Sequence, residues 1–311
     1  MSKITLRSGQ AQAWMGWQNR EVMVDSKTAS GWFNGLLGVV IFSGSLPATR
    51  VAVLEMDPFF LTFVRASVAG VVALMLIVGL RERRPQPAHL VPLAIVALGV
   101  VIGFPLLTAM ALQHVSAAHS VVFLGLLPLM TAIFAVLRGN ERPTLAFWIF
   151  SVLGSLLVMG FALSQSASLS LTGDLLMLAA VGVCGLGYAE GAALTRVCGG
   201  WQVISWALIL ALPFMIVAAF FAMPATLHGI GFPAWVALGY VSLFSMLIGF
   251  IFWYKGLAQG GIAAVGQLQL LQPFLGLGLS AWLLHERVSP LMMLITLGVI
   301  GCVIGSRKFS R

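Results

Sequence analysis

The sequence predicts an all-α membrane protein: ten transmembrane helices forming two inverted-topology five-helix repeats around a central cavity, with N- and C-termini cytoplasmic. Three observations carry that expectation. Of 311 residues, 60% are hydrophobic and 8% charged, whereas a soluble domain has about 25% charged and about 45–50% apolar residues, so a water-facing surface cannot be built. Apolar runs of about 20 residues, enough to cross a roughly 30 Å hydrocarbon core, recur along the chain. The second half of the chain also repeats the first at a nearly constant offset.

Residues 1–30, with Lys3, Arg7, Arg20, Asp25 and Lys27, lack the apolar core of a secretory signal. They read as a polar cytoplasmic tail, either unstructured or with a short amphipathic stretch around Trp14 and Trp17 on the membrane surface. Spans are then expected at 31–50, 58–80, 90–112, 115–137, 144–164, 174–195, 202–222, 234–256, 263–284 and 290–306. They divide into a first repeat, 31–164, and a second, 173–306, with short loops and no separate soluble domain.

Lys and Arg in short loops set the orientation. With the N-terminus inside, the cytoplasmic side collects Lys3, Arg7, Arg20, Lys27, Arg81, Arg83, Arg84, Arg138, Arg142, Arg196, Lys255, Arg307, Lys308 and Arg311. The outside receives only Arg50 and Arg287, and Arg65 lies within a span. The net charge of +8 is therefore mostly topology, and no nucleic-acid partner is expected. Cys184, Cys198 and Cys302 show no metal spacing and read as packing residues; no metal or cofactor is expected.

The repeat is read residue by residue. Ile102-Gly103-Phe104, Gln113 and Ala117-Ala118 match Ile248-Gly249-Phe250, Gln259 and Ala263-Ala264 at an offset of 146, as does Thr49-Arg50 with Thr195-Arg196. Pro128 and Glu141-Arg142 match Pro273 and Glu286-Arg287 at 145. Five spans is an odd number, so successive copies enter the membrane from opposite sides. Inverted repeats of this kind are the architecture of secondary transporters, whose site lies near the midplane between the halves.

At Leu126-Leu127-Pro128-Leu129 with Arg138-Gly139-Asn140-Glu141-Arg142, and at Leu271-Gln272-Pro273-Phe274 with Leu284-His285-Glu286-Arg287, the chain resembles the drug/metabolite transporter superfamily, in its EamA-type ten-helix branch. It is most similar in character to bacterial exporters of amino acids and related metabolites, the group that includes the YddG-type aromatic amino acid exporters. The resemblance implies a multi-pass protein of the bacterial inner membrane that exports small organic solutes, foremost amino acids, by alternating access. Its partners would be that substrate and membrane lipid, and it would work as a monomer. The alternative within the class is a proton-coupled multidrug or metabolite antiporter. Small multidrug-resistance relatives carry a glutamate in their first helix, whereas this chain has Gly44 where the second half has Glu190, which puts a symmetric carboxylate pair in doubt.

Ionisable groups inside a span usually face a cavity or a partner. Arg65 would meet a substrate carboxylate, or instead bond a broken-helix carbonyl or Asp57. Glu190 and Lys255 have similar depth and would form an inner latch, unless Lys255 snorkels and Glu190 pairs with Arg196. Gln269 and Gln272 share a helix face and serve the cavity or glue helices; His119 packs, or carries a proton. Pro47, with Gly44 and Ser45 beside it, and Pro105 break their helices and present backbone groups or hinges. Phe104, Phe123, Tyr188, Trp206, Phe250, Trp253 and Tyr254 lie deep enough to wall an apolar cavity, or pack helices and lipid. An intramembrane enzyme finds no nucleophile–base or metal constellation, there is no Walker loop for ATP, and a channel or receptor is the remaining rival.

Overall fold

The computed structural model describes residues 27–115, 120, 123–164, 170–276, 278 and 290–310. Within them the regular structure is helical, with no strand among the described residues. In chain order the helices are α1 (Lys27–Val53), α2 (Pro58–Gly79), α3 (Pro87–His114), α4 (Leu127–Gly139), α5 (Leu145–Ser164), α6 (Leu171–Cys198), α7 (Gly200–Phe221), α8 (Phe232–Gly260), α9 (Ile262–Gly266, continuing as a 3₁₀ turn over Gln267–Leu271) and α10 (Pro290–Lys308). By length and composition, six helices among the described residues can cross a membrane: α1, α2, α3, α6, α7 and α8. α4 and the Leu145–Phe161 stretch of α5 are shorter apolar helices.

Local chemistry explains the helix ends. Asp57 caps α2 by accepting the Phe59 and Phe60 N–H groups, and Pro58 occupies the first turn, where a missing N–H costs nothing. Ser170 caps α6 through the Gly173 N–H. Gly199 (φ +90°) and Gly261 (φ +95°) turn the chain from α6 to α7 and from α8 to α9 in a left-handed conformation that disfavours side chains.

Three departures from plain helices matter for the site. α1 is interrupted at Gly44 and restarts as Ser45–Val53, because Pro47 has no N–H to offer the preceding turn. The expected fourth span, 115–137, is not one unbroken helix: a turn at 125–126 precedes α4, so Pro128 falls in the first turn of a new helix. α3 and α8 each widen to a π-helix, over Ala97–Gly103 and Val241–Ile248, just before the matching Gly103-Phe104 and Gly249-Phe250 pairs. π turns of this kind gather at functional sites. In α3, Pro105 supplies a reason, since its missing N–H strands a carbonyl one turn back.

α2 packs on α7, α4 and α3 on α6, and α5 on α10. α1 and α8 touch backbone to backbone: a Cβ on Gly256 would stand 2.5 Å from the Gly35 nitrogen, and one on Gly31 2.5 Å from that of Gly260. Two Gly-x-x-x-Gly pairs, Gly31/Gly35 and Gly256/Gly260, therefore face each other, the small-residue contact that lets membrane helices approach closely. Large apolar side chains point outward, among them Phe33, Met75, Phe214, Phe221 and Leu294, as a hydrocarbon solvent permits.

One end of the bundle gathers the described basic side chains Lys27, Arg83, Arg84, Arg138, Arg142, Arg196, Lys255 and Arg307 around shared grooves and ion pairs. This end is called the basic face below.

Candidate functional site

Between the halves lies a cavity of about 50 Å³ whose wall comes from α1, α2, α3, α4, α6 and α8, with Gln272 following the 3₁₀ turn. Its polar lining is Ser45, Thr49, Arg65, Thr108, Ser245 and Gln272; its apolar lining includes Phe42, Phe104, Pro105, Tyr188 and Phe250. The break in α1 and the π turn of α8 place Ser45 and Ser245 opposite each other, with the Ser45 hydroxyl donating to Ser245 at 2.7 Å. On the other side of Ser245, an Nη of Arg65 reaches the same oxygen at 3.5 Å.

Arg65 is the unusual member. It is 8% exposed, its Nε has no hydrogen-bond partner, and no carboxylate pairs with it among the described residues. Asp57, the sequence-based alternative, spends its side chain capping α2. A buried guanidinium left this way is costly, by several kcal/mol in general terms, unless something supplies charge and acceptors. Thr108 also keeps a buried hydroxyl without a partner. Gln272 donates to the Phe42 carbonyl at 3.3 Å.

The aromatic wall is a single packed cluster. Phe42 meets Phe250 at 5.0 Å and 61°, Tyr188 meets Phe250 at 5.9 Å and 62°, and Trp253 backs both Phe42 and Tyr188. Edge-to-face pairs add stability beyond area burial and fix the wall's shape.

Ser45, Arg65, Phe104, Pro105, Tyr188, Phe250 and Gln272 thus meet around one cavity. The other sequence candidates lie elsewhere. Trp253 and Tyr254 are fully buried behind the wall, and the Tyr254 hydroxyl donates to the Gly187 carbonyl. Gly44 lies under the Tyr240 ring, whose hydroxyl donates to the Ile41 carbonyl at 2.6 Å. Pro47 is exposed, and Phe123 packs against the main core. Gln269 is buried in the 3₁₀ turn beside Tyr188 of the cavity wall. Trp206 lines a groove of about 290 Å³ on the basic face. His119 lies outside the described residues.

The expected Glu190–Lys255 latch is corrected. Glu190 is held by Arg138 through a two-point contact, 2.7 and 3.0 Å, because α6 packs on α4 and this brings the end of α4 to it. Lys255 is exposed on the basic face, near Lys27 and Arg196. Arg196 pairs with Glu141 at 2.8 Å, and the Glu141 carboxylate also accepts the Ile262 and Ala263 N–H groups at 2.7 and 2.8 Å, capping α9. The basic face is therefore closed by ion pairs and a helix cap that join the two halves.

Sequence reasoning missed Phe42, Thr49, Thr108 and Ser245. Thr49 was within reach, since it stands four residues after Ser45 on the same helical face. Ser245 was not, because its direction depends on the π turn.

An apolar helical bundle holding a small, mostly apolar cavity with a few polar groups fits a membrane transporter. The family model for the EamA-like transporter family matches residues 29–163 and again 171–307, so the chain belongs to that family. It is 60% identical over 286 residues, 92% of this chain and 100% of the relative, to the uncharacterized transporter YdeK of Bacillus subtilis (strain 168). It is 24% identical over 235 residues, covering 73% of this chain and 77% of the relative, to the uncharacterized transporter YyaM of the same organism. A solved crystal structure matches with a TM-score of 0.73 at 18% identity, covering 89% of this chain and 98% of that one, which speaks to fold. The protein is thus a multi-pass membrane transporter of small molecules, and a bacterial inner membrane is consistent with these relatives.

Proposed function

We propose that the protein is a ten-span secondary carrier that exports small organic solutes from the bacterial cytoplasm by alternating access, as a monomer. Carboxylate-bearing metabolites with an apolar body, the class to which hydrophobic and aromatic amino acids also belong, are its foremost substrates. Residues 31–164 and 173–306 act as inverted repeats with both termini cytoplasmic, so the basic face is the inner one, in keeping with the positive-inside rule. Support for the repeat comes from the two consecutive family matches and from the π turns at corresponding places in α3 and α8.

One observation carries the substrate reading: Arg65, buried beside the cavity with a free Nε and no carboxylate partner among the described residues. Its planar fork suits a substrate carboxylate, while Phe42, Phe104, Tyr188 and Phe250 suit an apolar body. A proton-coupled multidrug antiporter would want a titratable carboxylate in the cavity, and no described carboxylate lines it.

Transport in proteoliposomes of a panel of amino acids, nucleosides and cationic dyes, with and without a pH gradient, tests this reading. The expected result is carboxylate-bearing solutes moving with trans-acceleration by substrate. Folded protein that moves none of the panel sinks the carrier assignment, and flux without trans-acceleration marks a channel.

A further inference from the structure

We infer that the cavity around Arg65 selects an organic monoanion, a small monocarboxylate with an apolar body, over the zwitterion of an amino acid. This rests on the reading of the cavity as the substrate site and adds the charge of what enters it.

The ground is the disposition of charge. Among the described residues, Arg65 is the one charged residue in the cavity lining. Every described carboxylate lies elsewhere: Asp57 caps α2, Glu55 accepts the Gly231 N–H, Glu190 is held by Arg138, and Glu141 by Arg196 and the start of α9. Glu82 lines the groove on the basic face, and Asp174 sits in the first turn of α6. A carboxylate arriving at Arg65 brings its charge to zero and gives the idle Nε an acceptor. The unpartnered Thr108 hydroxyl can donate to the second oxygen.

An amino acid carries its ammonium one carbon from the carboxylate, within a few ångströms of the same guanidinium. Among the described residues it meets only neutral acceptors there. The Ser245 oxygen already receives Ser45 and Arg65, and the Gln272 amide nitrogen is turned to the Phe42 carbonyl. The rings of Phe42, Tyr188 and Phe250 pack edge to face on one another. With the zwitterion bound, the site keeps its positive charge in a buried cavity, the condition the monocarboxylate removes. Because the loaded cavity is neutral and the unloaded one is not, exchange of carboxylate for carboxylate should outrun net efflux.

The test uses one branched skeleton in four charge states: isovalerate, valine, isovaleramide and isobutylamine. Binding to the purified full-length protein is followed by tryptophan fluorescence, and flux is followed in proteoliposomes. Isovalerate is expected to bind at least about tenfold more tightly than valine, with the amide and the amine weaker than either. External isovalerate should speed efflux of labelled isovalerate several-fold. R65Q should abolish isovalerate binding and R65K retain part of it. Valine binding as tightly as isovalerate overturns the inference, as does isovalerate binding unchanged in R65Q. The wild-type ladder decides the matter even if R65Q fails to fold. Transport of a zwitterion or a cation with isovalerate ignored leaves the carrier reading standing and removes this one. Folded protein that transports nothing removes both.

Discussion

Arg65 and Arg138 both sit on apolar helices, and the protein treats them differently. Arg138 spans two helices to a two-point contact with Glu190, and its side chain is 46% exposed. Arg65 is buried, reaches one serine at 3.5 Å and has no carboxylate partner among the described residues. A charge that is paired in place serves architecture. One that is buried and left open is, on the proposed reading, complemented by the substrate. The same contrast separates the two regions they belong to: a basic face fastened by ion pairs, and a central cavity with spare donors.

Replacement of each partner tests that contrast, and the largest effect is expected at Arg65. Arg65→Gln should lower carboxylate flux about 100-fold, since charge-assisted bonds are worth about 1.5–3 kcal/mol each. Its thermal midpoint in detergent should stay level or rise, because an unpaired buried charge is removed. A fall in midpoint with flux intact would reverse the roles of the two arginines. Arg138→Ala should do the opposite, stranding Glu190 and costing about 2–3 kcal/mol in the unfolding midpoint, less than a fully buried pair because Arg138 is half exposed. Changing Arg138 and Glu190 together to Met and Leu should recover most of that loss.

Glu141→Gln removes the charge that meets Arg196 and weakens the cap on α9, at about 1–2 kcal/mol by the same thermal measurement. Smaller still, Ser45→Ala removes the hydrogen bond to Ser245 and should cost about 1 kcal/mol of stability, with a far smaller effect on flux than Arg65→Gln. Lys255→Gln should leave both readouts within about 0.5 kcal/mol of the wild type. A large kinetic effect there would restore Lys255 to the gating machinery.

What could be read without the structure divides along a physical line. Helices announce themselves through run length and end chemistry, so α2 was expected at 58–80 and lies at Pro58–Gly79. Arg65 stood out because a charge in an apolar run has few explanations. Partner choice was less legible. Lys255 and Arg196 were the partners the sequence offered Glu190, and only the packing of α4 on α6 brings Arg138 to it. Side-chain direction was not legible where a helix left the 3.6-residue period, as at Ser245 in the π turn.

The π turn of α8 has a consequence for helical phase. Tyr240 and Tyr254 are 14 residues apart, close to four turns of an α-helix, and on a helical wheel they would share one stripe and one neighbour. With the wide turn between them they diverge: Tyr240 bonds the Ile41 carbonyl of α1, and Tyr254 the Gly187 carbonyl of α6. Ile41 and Gly187 occupy matching positions at the repeat offset of 146. One helix, put out of phase with itself midway, clasps the equivalent point of both halves.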